Sequence, residues 1–305
     1  MSNQLLAKAT DFITLFLGLL VEAIPFIFIG VVVSVAIALF VNSEKVFALL
    51  PKNTYVRRFF LSIMGMFMPV CECGNVPVVR RLVMKGFSVS EAITFMLAAP
   101  VVNPVTFWTT WEAFSGSHEM AWARLIAAVV IANGVGIIFS FVTKQETLLT
   151  KKFYAQVCEI RYNDHYYHNP QSKWEEAKSI FSSEFIQNTK MLALGAIIAA
   201  AFQVIVPREW VLAISGNILL SIVAMTILAF VISICSNVDA FFALSYASSF
   251  PLGALLSFLV FGPMIDIKLL MMLKNTFTIK TLGLIVVLVA LSSTVAGLTF
   301  HILWQ

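Results

Sequence analysis

Apolar residues run almost unbroken through five stretches of the chain: Asp11 to Val41, Ala121 to Val142, Phe185 to Val206, Ile218 to Ile234 and Thr281 to Leu303. Each reaches or approaches the roughly 20 residues that a helix needs to cross a hydrocarbon core. Lipid offers no partner for open sheet edges, so the pattern predicts an all-α polytopic membrane protein. Between these runs lie Leu252 to Lys274, a further span, and Phe59 to Val70, which is only about half a span long.

Composition strengthens this picture. Of 305 residues, 60% are hydrophobic and only 12% charged, against about 25% charged in soluble domains. A cleaved leader does not fit the first run, which is too long, lacks a small-residue cleavage site and carries Glu22 and Pro25. The net charge of +4 gives no sign of a nucleic-acid partner, and four cysteines outside any secreted-style framework argue against structural disulfides.

The two halves resemble one another. Cys71-Glu72-Cys73-Gly74-Asn75-Val76 reads against Ser233-Ile234-Cys235-Ser236-Asn237-Val238 at an offset of 162 positions (235 minus 73). One residue further on, Pro100 falls on Pro263, Asn103 on Asp266 and Gly134 on Gly297. The division expected is a first transmembrane repeat over 1–142, a cytoplasmic loop over 143–185 and a second repeat over 186–305.

Lysine and arginine set the orientation. The segments 42–58, with Lys45, Lys52, Arg57 and Arg58, and 143–185, with six basic residues, belong in the cytoplasm, as does Lys274 to Lys280. The stretch 112–120, acidic and free of Lys and Arg, belongs outside. Phe59 to Val70 then enters from the cytoplasm, turns at Cys71–Asn75 and returns to Arg80, Arg81 and Lys85. Each half becomes about three full spans plus a re-entrant or broken hairpin. An odd number of crossings makes the repeats inverted, with both termini outside; whether 216–250 forms a hairpin or a full span is open.

In each half the next element is also interrupted. Pro100 removes a backbone bond from Ala98–Pro104, and Asn103 is typed as an N-cap with Pro104 at the first helical position. Gly262-Pro263-Met264-Ile265-Asp266 is the counterpart. Asn75 and Asn237 are expected to cap the returning arms of the hairpins. Irregular backbone at this depth needs protein or a water-filled cavity around it, and helix N-termini there suit polar or anionic groups.

The chemistry gathers at these breaks. Cys71 and Cys73 form C-x-C, with Cys235 at the position equivalent to Cys73. If the tips meet, three sulfurs face soft centres such as Cu(I), Zn²⁺ or trivalent arsenic. Glu72, Asp239 and Asp266 are costly charges at membrane depth, and Arg80, Arg81 and Lys85 are either their partners or plain interfacial anchors. Glu22 is a candidate coupling carboxylate or a hydrogen-bonded helix residue. Asp164-His165-Tyr166-Tyr167-His168, near Cys158, reads as solvated loop more readily than as a metal site.

The run Pro69-Val70-Cys71-Glu72-Cys73-Gly74-Asn75-Val76-Pro77-Val78 is followed by Ala99-Pro100-Val101-Val102-Asn103-Pro104. With Glu22-Ala23-Ile24-Pro25 and the Cys-Ser-Asn-Val-Asp run ending at Asp239, these resemble the predicted-permease family that includes the trivalent organoarsenical efflux permease ArsP. The resemblance implies a multi-pass permease of the bacterial cytoplasmic (inner) membrane. For the arsenical branch it implies export of trivalent methylated or aromatic arsenicals, with thiols implicated. It does not select that branch.

The leading expectation is a secondary transporter rather than an enzyme, without cofactor or resident metal. Its substrate path is formed by Cys71, Glu72, Cys73, Gly74, Asn75, Pro100, Asn103, Cys235, Ser236, Asn237, Asp239, Pro263 and Asp266. Glu22, Glu72 and Asp239 are the coupling candidates. No G-x-x-x-x-G-K-[ST] motif for ATP is present. The partners expected are the bilayer, a small thiophilic or metal-like substrate and an accessory protein at the cytoplasmic loop. The rivals are a divalent metal-ion permease, a membrane thiol oxidoreductase using Cys71 and Cys73, and a structural subunit of a larger complex.

Overall fold

The computed structural model describes residues 2–41, 51, 53–67, 71–166, 173–205 and 217–304, the side chains of 2–5 and 161–166 aside. Every named element among them is helical. α1 (Ser2–Phe40) runs through Pro25 without a break and is about 58 Å long at 1.5 Å per residue. The first hairpin follows: α2 (Thr54–Met64), a short 3-10 turn (Gly65–Phe67) and α3 (Glu72–Met84). The interrupted element is α4 (Val89–Ala98) and α5 (Pro104–Ala113), and α6 (Glu119–Ser140) closes the first half.

After α7 (Lys151–Tyr166) the same order recurs. α8 (Lys173–Ile205) corresponds to α1, and α9 (Ile218–Ile232) with the short α10 (Asp239–Leu244) to the hairpin. α11 (Leu252–Met264) and α12 (Ile267–Leu273) form the interrupted element, and α13 (Ile279–Leu303) the last span. Among the described residues five stretches are long and apolar enough to cross a membrane: α1, α6, α8, α11–α12 and α13. The packing repeats as well. α2 packs on α4 and α4 on α6, as α9 packs on α11 and α11 on α13. Across the halves α1 lies along α8, α3 meets α12, and α5 meets α10.

The broken elements are inside and the long helices outside. In α11–α12 the apolar window is 89% buried, against 28–39% in the other four spans, so this element forms the centre and they form the wall. α3 and α4 are buried along their whole length. That is where interrupted backbone has to be, since lipid cannot satisfy it. Close approach is built with glycine. A Cβ on Gly30 of α1 would lie 2.0 Å from the carbonyl oxygen of Gly74 in α3. On the second half, Gly253 of α11 and Gly297 of α13 pack backbone to backbone.

The structure decides one point that the sequence left open and adds detail to others. Ile218–Ile234 is not a span: the helix ends at Ile232 because Ser233 turns left-handed (φ 52) and its N–H closes on Ala229. Arg57 and Arg58 lie in α2, the entering arm of the first hairpin. Arg57 pairs with Glu91, which also completes the capping box of α4, and Arg58 is buried. The segment 143–185 is largely helical, comprising α7 and the first turns of α8. It is tied to the turn after α12 by Thr150 N–H on Thr276 and Thr278 N–H on Leu148. Gly134 faces open space, and Gly136, against Thr94, is the packing counterpart of Gly297. Pro69, Val70, Lys45 and Lys52 lie outside the described residues.

Candidate functional site

Cys71 is the N-cap of α3, in extended conformation (φ −76, ψ 178), so Glu72 opens the helix and Cys73 and Gly74 follow in its first turn. On the second hairpin Cys235 lies in the turn after Ser233, and Asp239 opens α10. The two tips meet. The Cys71 thiol lies close enough to interact with both Cys73 and Cys235, and the backbone of Asn237 interacts with the Cys235 thiol. All three thiols are buried, at 3%, 0% and 3% exposure. They come from both halves of the chain and form one cluster.

Beside them lies a buried ionic group. Lys268, in the first turn of α12, stands 3.7 Å from Glu72 and 3.7 Å from Asp266. Asp266 is the N-cap of α12, its Oδ1 accepting the Leu269 N–H at 2.7 Å. Burying charge is costly unless it is paired and hydrogen-bonded, yet several acceptors here go unanswered. Both oxygens of Glu72, Oδ2 of Asp266, Oδ1 of Asn75 and the Ser236 hydroxyl have no hydrogen-bond partner among the described residues. Unsatisfied buried acceptors next to thiols mark a place suited to a cationic or polar guest. Glu22 on α1 is half-buried and close enough to interact electrostatically with Glu72 and Cys235.

A second ion pair mirrors the first. Asp239 is held by Arg124 of α6 through both terminal nitrogens, one contact measuring 3.0 Å, and Arg124 also donates to the Thr110 hydroxyl at 2.7 Å. Glu72 and Asp239 are each the first residue of a returning arm, where the helix dipole favours a carboxylate. Each is met by a cation from the other half: Glu72 by Lys268, Asp239 by Arg124. The cations that meet these carboxylates are thus Lys268 and Arg124, not Arg80, Arg81 or Lys85; Arg81 pairs with Glu184 of α8.

Two of the expected caps are also revised. Asn75 is inside α3, and its side-chain nitrogen donates to the Met96 carbonyl at 3.2 Å, fastening the first tip to α4. Asn237 sits half-buried in the turn, and the N-cap of α10 is Val238. Asn103 does cap α5, accepting the Val105 N–H at 2.9 Å with Pro104 at the first position, and the Pro100 carbonyl takes the Thr106 hydroxyl at 3.1 Å. Pro263 lies in the last turn of α11, and the chain breaks at extended Ile265. Pro100, Asn103 and Pro263 thus build the interruptions, while Cys71, Glu72, Cys73, Cys235 and Asp266 form the cluster.

Sequence reasoning missed Lys268, Arg124, Thr110 and Glu184. A single cation within an apolar run was the available signal for Arg124 and Lys268. Cys71, Glu72 and Cys73 each offer a ligand atom, all within 4.8 Å of one another, a donor set that fits a soft or borderline cation. Cys158 is exposed on α7. The side chains of Asp164, His165 and Tyr166, together with Tyr167 and His168, lie outside the described residues.

A multi-pass helical bundle, with paired interruptions buried between two halves of like order around a polar centre, is the build of a membrane permease. The chain belongs to a family described as predicted permeases, which it matches over residues 8–302. A Bacillus subtilis protein named UPF0718 protein YcgR is 39% identical over 284 residues, covering 92% of this chain and 95% of that protein. A Streptococcus mutans protein is 34% identical over 278 residues, covering 91% of each chain. Its name designates it, provisionally, a subunit of a two-component membrane permease complex. No solved structure matches the chain.

Proposed function

We propose that the chain is a secondary transporter of the bacterial cytoplasmic membrane that exports a thiophilic substrate between the two hairpin tips. The observation that carries this reading is the meeting of Cys71 and Cys73 from one half with Cys235 from the other, beside the Glu72–Lys268–Asp266 group. A trivalent methylated arsenical suits such a cluster. Each thiol that replaces a hydroxyl on arsenic forms an As–S bond and releases one water. Exchange of the arsenic between the Cys71–Cys73 pair and Cys235 moves it from one half to the other, and rocking of the halves turns that exchange into alternating access.

In this reading 1–142 and 186–305 are inverted repeats, 143–185 is cytoplasmic and both termini are outside. The distribution of Lys and Arg and the shared element order support that arrangement. Gly74, Asn75, Ser236 and Asn237 line the path at the tips, with Pro100, Asn103 and Pro263 shaping it. Among the coupling carboxylates, Glu72 and Glu22 border the thiols, whereas Asp239 is committed to Arg124. Transport unchanged by neutralising Glu22, Glu72 and Asp239 together removes proton coupling through them. The relative's designation as a complex subunit supports an accessory protein, docking on the 143–185 side.

A second reading is a permease for Zn²⁺ or another divalent ion. It is favoured by the ligand atoms of Cys71, Glu72 and Cys73, all within 4.8 Å of one another, a mixed thiol and carboxylate set of the kind that binds zinc. One experiment separates the two. The chain, a Cys73→Ser variant and an empty vector are expressed in bacteria lacking their arsenic exporters, and cellular arsenic and zinc are measured after exposure to methylarsenite. Lower arsenic that depends on Cys73 is the expected result. Unchanged arsenic with Cys73-dependent zinc overturns it in favour of the metal-ion permease.

A further inference from the structure

Two cavities open side by side where α3, α7 and α8 converge, and their linings differ in charge. The first, about 450 Å³, carries Arg80, Arg81 and Lys85 against Glu159, Glu176 and Glu184, so cations and carboxylates balance. The second, about 500 Å³, carries Arg80, Lys152, Lys190 and Lys274 and no carboxylate. Its other polar groups are neutral, among them Thr150, Gln156 and Gln187. Four cations around one hollow repel one another, an arrangement that a bound anion relieves.

Arg80 makes the argument sharper. Its residue exposure is 6%, and it forms no ion pair among the described residues. The neighbouring Glu184 is taken by Arg81. Glu184 reaches Arg80 only through space; the direct contacts of Arg80 are a long one of 3.5 Å to Gln156 and the face of Phe153, 5.1 Å from its guanidinium carbon. A buried guanidinium with one long hydrogen bond, and with its nearby carboxylate paired to Arg81, suits a doubly accepting oxyanion. The N-terminus of α7 adds to this. Thr150, Lys152 and Phe153 bring the start of this 16-residue helix to the cavity wall. Lys151 and Lys152 stand in its first turn, where the helix dipole disfavours cations and favours anions.

We propose that this second cavity is a binding site for a phosphate group, held by Arg80 and the α7 N-terminus and gathered in by Lys152, Lys190 and Lys274. The phosphate comes either from an anionic lipid headgroup or from a soluble phosphate. Ile186, half exposed at the cavity wall, offers an acyl chain a place to lie in the first case. The site is independent of the thiol cluster and of what the permease carries. α7 ties back through Thr150 to the turn after α12, where its N–H and hydroxyl meet the carbonyls of Thr276 and Asn275. Occupancy therefore braces the helix that carries Lys268.

The test uses the full chain in phosphatidylcholine nanodiscs. In one arm pyrophosphate is titrated; in the other, phosphatidylglycerol is added to the discs and the lipid retained by the protein is read by native mass spectrometry. The test variant is Lys152→Gln/Lys190→Gln/Lys274→Gln, three exposed lysines whose loss leaves the buried core untouched. A variant with Lys144, Lys173 and Lys178 changed to Gln makes the same change in net charge outside the cavity. At least one probe is expected to bind the wild-type chain and to lose about tenfold or more in affinity in the cavity variant, while the control stays within about twofold. Loss in the pyrophosphate arm alone identifies a soluble phosphate, and loss in the lipid arm a headgroup. Wild-type chain that binds neither probe, or equal effects of the two triple variants, overturns the site.

Discussion

Asp239→Leu removes the charge of a side chain that is 2% exposed, leaving Arg124, 1% exposed, without its counter-ion. One contact of the pair measures 3.0 Å. At that distance, with an effective dielectric near 20, the gross attraction is about 5 kcal/mol. Breaking one side of such a buried pair costs about 3–5 kcal/mol, because the remaining charge stays desolvated. Thr110 alone cannot compensate a guanidinium. Arg124→Met should cost a similar amount by stranding Asp239, while Arg124→Met/Asp239→Leu removes both charges and should return to within about 1 kcal/mol of the native chain. Independent sites would sum to about 6–10 kcal/mol, so the cycle should show a coupling of at least about 5 kcal/mol. Reversible unfolding in mixed detergent and dodecyl sulfate, followed by circular dichroism, measures all four proteins. A single variant that loses less than about 1 kcal/mol, or a double variant that loses the sum, refutes the pair as the join between α6 and α10.

Other expectations follow from single contacts. Asp266→Asn keeps an N-cap but strips Lys268 of one carboxylate, whereas Asp266→Ala loses the cap too; the second should be less stable by about 1 kcal/mol, and equal stabilities would discount the cap. Gly30→Val should abolish recovery of folded protein from detergent extracts, since its Cβ falls 2.0 Å from a backbone oxygen, while Gly134→Val, with nothing within 4 Å, should not; matching yields would show that α1 does not seat on α3 in this way. In a Cys73→Ser/Cys158→Ser background, mild oxidation should link Cys71 to Cys235, joining two proteolytic fragments that separate again on reduction. Fragments that never join would mean the tips are apart.

Much of the architecture is legible in the chain. The long apolar runs give α1, α6, α8 and α13 because the bilayer demands about 20 apolar residues per helix, and few other structures satisfy their backbone there. The Cys-Asn spacing half a chain apart gives the two hairpins, and Asn103-Pro104 and Asp266 give the caps of α5 and α12, since capping is chemistry between near neighbours in sequence. The placement of Cys71, Cys73 and Cys235 together was legible only as a consequence of supposing that the tips meet.

What tertiary structure alone decides is which charges answer one another and which turns are left empty-handed. Lys268 was two residues from Asp266 throughout, and Arg124 was a lone cation in an apolar run, yet nothing local says that the first also serves Glu72 or that the second reaches Asp239, 115 positions away. The cap at Cys71 in place of Asn75, and the left-handed Ser233 that stops α9 short of a span, depend on packing that local preference does not report. The reason is physical. Helix starts and membrane spans are set by interactions within a few residues or with the solvent, which the sequence carries in order. Pairing across the halves is set by where folded helices cross, and that geometry exists only once both halves have packed.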